Sequence, residues 1–324
     1  MRAAYYEKNG PAKEVLHVGE VETPRPGPGE VRIKLRTSGV NPSDVKTRMG
    51  TARKIAFPRV IPHSDGAGEI DAVGAGVAAS RVGERVWTWN GQWKRPFGTA
   101  AEYITLPAEQ AVRLPAPISF EAGACLGIPA LTAWHAIDIA GTTSGTTLLI
   151  AGGAGAVAHY AIQFAKARGA TVITTISSPE KAALARAAGA DHTIDYKREN
   201  VGERVMALTK VGVDAVIELD LTANASLLPV TLRPYGTLVV YGTGPHVQFP
   251  GSFCLVNNIT VKFMLVYELT PEARARAIAD ITRRLDSNDL IHSIAERFSL
   301  DHAVAAHEAV EQGRATGNII ITLG

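Results

Sequence analysis

The spacing of hydrophobic positions changes near Phe120. Before it, short segments alternate apolar and polar residues between glycine and proline punctuation. This predicts strands at Arg2 to Tyr6, Glu30 to Arg36, Glu69 to Val73, Glu84 to Trp89 and Ala101 to Leu106. The stretch GVNPSDVKTRMG predicts a short helix opened by Pro42 and Ser43, carrying Asp44 and Lys46 and stopped at Gly50. Beyond Phe120, apolar runs alternate with helical spacing as far as Tyr267. Thr147 to Ala151, Thr171 to Ile176, Val213 to Leu219, Thr237 to Tyr241 and Ile259 to Tyr267 read as strands, with HTIDYKRENVGERVMALT as another strand and helix unit. EAGACLGIPALTAWHAIDIAG predicts a helix pair broken near Pro129. Strands buried on both faces and joined by helices make a doubly wound parallel sheet. After Pro271 comes an amphipathic helix with Ala277, Ile278, Ile281 and Leu285 inward, then a helix stopped at Gly313 and a final strand. That strand is expected to return to the β-rich part, which makes the first domain discontinuous.

Within this pattern one stretch carries chemistry. Thr146 to Gly169 runs from a buried strand through glycines into a helix with Val157, Tyr160, Ala161 and Phe164 on one face. Its turn, Gly153-x-Gly155-x-x-Ala158, fits the dinucleotide fingerprint: glycines permit a tight bend and close approach of a pyrophosphate, and the small third residue lets helix and strand pack. Gly152, Gly153, Ala154, Gly155, Ala156 and Val157 are the expected phosphate cradle, facing the positive end of the helix dipole. An NAD site usually carries an acid about 20 residues further on, to bind the ribose hydroxyls. Here the strand tip reads Thr175-Ile176-Ser177-Ser178-Pro179-Glu180-Lys181. Ser177 and Ser178 suit a 2′-phosphate and Lys181 offsets its charge, so NADPH is the expected cofactor. Against this, Ser178 can simply cap the helix, Lys181 can face water, and Glu180 can do the work of the acid.

Composition narrows the function classes. The 324 residues suit two domains, and 46% hydrophobic with 20% charged residues is ordinary for a globular protein. The mean hydropathy of +0.06 agrees. Lys plus Arg number 33 against 31 Asp plus Glu, so no basic excess points to nucleic acid or an anionic membrane. Small-molecule chemistry is favoured. Two isolated cysteines, Cys125 and Cys254, make neither a disulfide framework nor a four-cysteine metal lobe, and a cytoplasmic setting is expected. MRAAYYEKNGP lacks the apolar core of a signal peptide, and no apolar run reaches the roughly 18 residues of a membrane helix.

The order VNPSD, HSDGAGEIDAVG, GTAAEYITLP, GIPALTAWHAI, AGGAGAVA resembles the medium-chain dehydrogenase/reductase superfamily, and within it the zinc-independent quinone oxidoreductases of the zeta-crystallin type. The resemblance covers nearly the whole chain. It implies a GroES-like catalytic domain of residues 1–121 and 268–324, a Rossmann cofactor domain of residues 122–267, an active site in the cleft between them, and homodimers formed through the last strand of the cofactor sheet. Relatives carry an Asn-x-x-Asp-x-Tyr-like pattern; Asn41 and Asp44 match it and Lys46 replaces the tyrosine. Asn41 is implied as an amide near the nicotinamide. Lys46 either supplies positive charge and a proton or faces solvent. Asp44 is a site candidate or a helix N-terminal charge. The resemblance further implies cofactor contacts from Thr132, Tyr196, Tyr241, Gly242, Phe263, Leu265 and Asn318.

Zinc-bearing relatives place Gly-His-Glu before Gly-x-Gly. Here His63, Ser64 and Asp65 stand there, with the histidine one position off, and residues 1–124 hold no cysteine. A catalytic zinc needs about three protein ligands, so no metal is expected. The expected reaction is hydride transfer from NADPH to a quinone, enone or other activated alkene. Its rivals are enoyl thioester reduction, and nucleotide binding by a structural or regulatory protein without turnover.

Overall fold

The computed structural model describes residues 1–313 and 315–324. The chain divides into two compact units, Met1–Pro129 with Ile278–Gly324, and Ala130–Ala277. In chain order the strands of the first part are β1 (Arg2–Tyr5), β2 (His17–Glu20), β3 (Glu30–Val40), β4 (Asp65–Val73), β5 (Arg85–Thr88), β6 (Tyr103–Pro107) and β7 (Ala111–Arg113). Then come β8 (Thr147–Ile150), β9 (Thr171–Ile176), β10 (His192–Asp195), β11 (Val213–Glu218), β12 (Leu232–Val240) and β13 (Thr260–Phe263). The tail adds β14 (Ile294–Ser299) and β15 (Asn318–Thr322).

In the first unit, seven strands form one sheet in the order β14-β15-β3-β4-β5-β7, with β6 also on β3, and β1 and β2 pair separately. Its core is built from alternate residues of these strands, among them Ile33, Leu35, Ile70, Val86, Ile104, Leu106, Ile319 and Ile321. Strand β3 runs four residues past the expected Arg36, because β15 pairs with it antiparallel from Thr37 to Val40. Strand β4 starts at Asp65, four residues before the expected Glu69. Gly66 and Gly68 read as punctuation, yet they lie in the ladder between β3 and β5.

The second unit holds six parallel strands in the order β10-β9-β8-β11-β12-β13. Counted from β8, this is the 3-2-1-4-5-6 order of a dinucleotide-binding sheet, whose chain reverses direction between β8 and β11. Leu148, Ile150, Val172, Ile217, Leu238 and Val239 are fully buried, so the central strands are covered on both faces. Pro129 falls inside a π-helical turn, Leu126–Ala130, that leads directly into the helix Leu131–Ile139. A separate short helix, Phe120–Gly123, precedes them, and the helical run continues through Pro129 where a break was expected. The π-turn follows from the missing proline N–H, which breaks the regular ladder.

Candidate functional site

The glycine turn joins β8 to the helix Ala156–Ala167 at the switch point of the parallel sheet. Gly152 takes the positive φ, +68°, so the bend lies one residue before the fingerprint spacing begins. Its N–H donates to Thr175 Oγ1 at 3.0 Å, and the Gly153 N–H donates to the Thr175 carbonyl at 3.0 Å. A Cβ on Gly153 would sit 2.3 Å from Thr174 Oγ1, which itself donates to the Ile150 carbonyl at 2.6 Å. Thr174 and Thr175 therefore brace the turn from the next strand. Sequence reading passed over them, although a Thr-Thr pair at the tip of the second strand is a visible signal. Gly155 is the residue before the helix, and no side chain caps that N-terminus. The first N–H groups of Ala156, Val157 and Ala158 are thus left for an anion, and Gly155 carries no side chain to block it. The cradle fits a pyrophosphate.

Beyond β9, Ser178 is the N-cap of the helix Pro179–Ala187; its hydroxyl accepts from the Lys181 N–H at 3.3 Å. The Lys181 ammonium donates to Ser177 Oγ at 3.1 Å. Tyr196 follows β10, half exposed, with its N–H on the Ile176 carbonyl at 3.2 Å. These four residues gather at the carboxyl ends of β9 and β10. At the end of β12, the Tyr241 N–H donates to the Glu218 carbonyl and the Gly242 carbonyl accepts from Leu221. Burial raises both the Glu218 carboxyl and the Tyr241 hydroxyl above their usual ranges. Thr132 is buried in the helix Leu131–Ile139. Phe263 and Leu265 are exposed at the end of the edge strand β13.

In the first unit, the helix Pro42–Met49 holds Asn41 at its N-cap and ends on Gly50 at φ +82°. Asp44 accepts the Asn41 backbone N–H at 2.8 Å, and the Asn41 side-chain nitrogen donates to Asp65 Oδ2 at 2.8 Å. All three are buried. Desolvation pushes the Asp44 carboxyl up to about 7, against hydrogen bonds from the Asn41 backbone and side chain and the charge of Arg53. Desolvation raises Asp65 well above the carboxylate range, opposed by its hydrogen bond from Asn41 and reinforced by the charge of Asp44. Lys46 is exposed on the same helix. Asn318 lies in β15, with its side-chain nitrogen and backbone N–H both on the Ser293 carbonyl, at 2.9 and 2.8 Å. That geometry ties β15 to the chain before β14. A cavity of about 540 Å³ in this unit, lined by Met1, Val21, Phe57, Pro58, Pro96 and Phe97 among others, includes none of the candidate residues.

Zinc does not fit the residues present. His63 has both ring nitrogens engaged, Nδ1 with Ser38 Oγ at 2.8 Å and Nε2 with His307 Nε2 at 2.9 Å. Among the described residues no three His, Cys, Asp or Glu side chains converge as a metal site requires.

The β-rich unit and the 3-2-1-4-5-6 sheet with its open glycine turn define a dinucleotide-dependent oxidoreductase of the medium-chain dehydrogenase/reductase class. Residues 27–116 match the alcohol dehydrogenase GroES-like domain, and residues 156–283 match the family model described as zinc-binding dehydrogenase. The chain is 35% identical to a quinone oxidoreductase of Pseudomonas aeruginosa, over 95% of each chain. A mycobacterial protein solved in complex with NADPH is 28% identical over the full length of both chains, with a TM-score of 0.89. A solved NAD-dependent alcohol dehydrogenase is 27% identical over both full lengths, with a TM-score of 0.90. The chain belongs to the quinone oxidoreductase family of that superfamily, and it is an NAD(P)H-dependent oxidoreductase acting on a small molecule. Among the described residues no helix is long and apolar enough to cross a membrane.

Proposed function

We propose that the protein reduces quinones or other activated alkenes and enones with NADPH and without a metal. The observation that carries this reading is the open glycine turn at the switch point of the parallel sheet, in a member of this family whose His63 is closed off by Ser38 and His307. When bound, the nicotinamide supplies the hydride. The chain's part is to hold the dinucleotide and to stabilise negative charge on the substrate oxygen. Gly152 to Val157 hold the pyrophosphate, Ser177, Ser178 and Lys181 the 2′-phosphate, and Tyr196 the adenosine end. Thr132, Tyr241, Gly242, Phe263, Leu265 and Asn318 serve the nicotinamide end.

On the substrate side the reading rests on Asn41, an amide fixed in place before the substrate arrives. Preorganised donors of this kind are worth on the order of 10²-fold in rate. Asp44 holds the Asn41 backbone, and Lys46 adds positive charge from an exposed position. A reduced quinone or enone oxyanion takes its proton from water, so the site needs no tyrosine where Lys46 stands. In the same reading, two copies associate along β13 and the protein works in the cytoplasm.

The test is a steady-state screen of NADPH oxidation against quinones, enones and enoyl thioesters, before and after dialysis against a strong chelator. Turnover with quinones or enones, unchanged by the chelator, is the expected result. Turnover with enoyl thioesters alone, loss of activity restored by zinc, or no turnover with any electrophile would each replace this reading.

A further inference from the structure

The polar residues around Asn41 form one connected, buried set, and its hydrogens can be placed by elimination. The Thr99 hydroxyl donates to the Asp65 backbone carbonyl, because a carbonyl can only accept. With that hydrogen committed, Thr99 Oγ1 accepts from the Ser38 hydroxyl at 2.8 Å. Ser38 Oγ then accepts from His63 Nδ1–H at 2.8 Å. His63 Nε2 is thereby the acceptor, and it takes the hydrogen of His307 Nε2 at 2.9 Å, the two rings stacked with centroids 5.0 Å apart. Both rings are neutral in this arrangement. Desolvation pushes His63 down to about 3, and desolvation with the neighbouring His63 and Arg48 pushes His307 well below the usual range. His63 holds a φ of +78°, a backbone strain on the order of 1–3 kcal/mol that persists where the surroundings over-determine it.

This chain ends on the backbone of Asp65, and the Asp65 side chain ends on Asn41. The carboxyl is walled in elsewhere. A Cβ on Gly127 would lie 2.4 Å from Asp65 Oδ1, and one on Gly39 would lie 2.9 Å from the Asp65 Cβ. Only glycines leave room for the carboxyl at this point. Oδ1 is buried, with the Ile128 backbone N–H as the nearby donor, so Oδ2 is the atom by which the carboxyl acts on the Asn41 side chain.

We propose that Asp65 is a positioning residue: its Oδ2 fixes which way the Asn41 amide points, and the Thr99, Ser38, His63 and His307 chain keeps Asp65 in place. The inference rests on the substrate-side role given to Asn41 above. Asp65 acts through Asn41 and touches no reacting atom. A carboxyl oxygen facing the amide selects the nitrogen end, and this prevents the rotation that would exchange nitrogen and oxygen. Without it the amide is held only at its oxygen end, by the Asp44 backbone N–H of the capping box, and its nitrogen loses a fixed direction.

The experiment is a double-mutant cycle with Asn41→Ala and Asp65→Ala, with Asp65→Asn as the conservative variant. An asparagine at 65 keeps an accepting oxygen and nearly the same volume, so it is the variant that folds if alanine leaves a damaging cavity. Measured are kcat and KM on a quinone or enone, the primary isotope effect with 4-deuterated NADPH, the Kd for NADPH, and Tm. Asp65→Ala is expected to lower kcat by about 10- to 100-fold, of the order of a lost oxyanion donor. The isotope effect should rise while the Kd for NADPH stays within about twofold. Asp65→Asn should recover most of the rate, and Asp65→Ala should add nothing in the Asn41→Ala background. Independent, multiplicative losses overturn the proposal, as does a wild-type kcat in Asp65→Ala. A fall in Tm that tracks kcat across all variants makes the role merely structural and also overturns it. Wild-type protein that turns over no electrophile removes the parent reading together with this one; active wild-type protein with a multiplicative cycle removes this one alone.

Discussion

Ser177 and Lys181 are one side-chain contact, 3.1 Å long, at a strand tip where an NAD site would carry an acid. The carboxylate next in sequence is Glu180, and the side chain of Ser178 bonds to it, holding it below its usual range at the helix cap. Ser178 is itself engaged as the N-cap, a bond worth about 1 kcal/mol to that helix. Of the two serines, Ser177 is therefore the one that can turn toward a 2′-phosphate without giving up a bond to the helix cap, with Ser178 beside it and Lys181 supplying the charge. Charge-assisted hydrogen bonds contribute roughly 1.5–3 kcal/mol each. Lys181→Ala should accordingly lower kcat/KM for NADPH by about tenfold or more and change that for NADH by less than about twofold. Ser177→Ala should move the ratio in the same direction by less, and Glu180→Gln should leave it unchanged. Comparable kcat/KM for the two cofactors in the wild-type protein would show that this strand tip does not select the phosphate.

The helix Pro42–Met49 shows what an element can and cannot disclose in advance. Its start at Pro42 and its stop at Gly50 were legible, because both signals are local backbone chemistry. So was the glycine turn, whose residues are neighbours in sequence. The partners that surround Asn41 were not. Asn41 meets Asp65 across 24 positions and His63 meets His307 across 244, and residue types alone carry no record of such pairings. His63 and Asp65 stand where zinc-bearing relatives carry Gly-His-Glu, and their hydrogen bonds lead to Ser38, His307 and Asn41. Strands β2, β7 and β14 went unread for a related reason. They are short or weakly patterned, as IAERFS is in β14, and they exist because a neighbouring strand offers its ladder. The helix also carries a pH prediction. Burial pushes the Asp44 carboxyl from its ordinary 3.8 up to about 7 in the folded protein. Between those values the folded chain holds a proton that the unfolded chain has released, so this group's contribution to stability falls as pH rises through that window. Asp44→Asn does not titrate and keeps an oxygen for the Asn41 N–H. The Tm of the variant relative to wild type should therefore rise from about pH 4 to about pH 7 and level off above it, the neighbours Asn41, Asp65, Arg53 and Tyr6 being the same in both. A difference that shrinks with rising pH would mean that the ionised carboxylate is the favoured form.

At the scale of the whole molecule, the parallel sheet ends in two unlike edges. Strand β10 lies among charged side chains, with Lys166 paired to Asp191 at 2.8 Å and Arg186 donating to the Thr193 hydroxyl. Strand β13 offers an unpaired ladder beside exposed apolar side chains: Leu255 is 80% exposed, Val256 76% and Phe263 65%. A lysine on an edge strand commonly discourages pairing, but the Lys262 ammonium is folded back onto the Ile139 carbonyl at 2.7 Å and does not guard the edge. A second copy related by a two-fold axis places β13 against β13 and covers the apolar residues of both, because a two-fold interface uses the same patch twice. The wild-type protein is expected to sediment as a dimer at micromolar concentration. Leu255→Asp combined with Val256→Asp puts like charges across the axis and should yield a monomer with a lower Tm. The glycine turn lies at the middle of the order, between β8 and β11, with β12 between that point and the edge strand β13. The monomeric variant should therefore still bind NADPH with a Kd close to that of the wild type. A wild-type protein that sediments as a monomer, or a double variant that remains dimeric, would show that β13 and the exposed residues of the helix Gly251–Val256 before it do not form the contact.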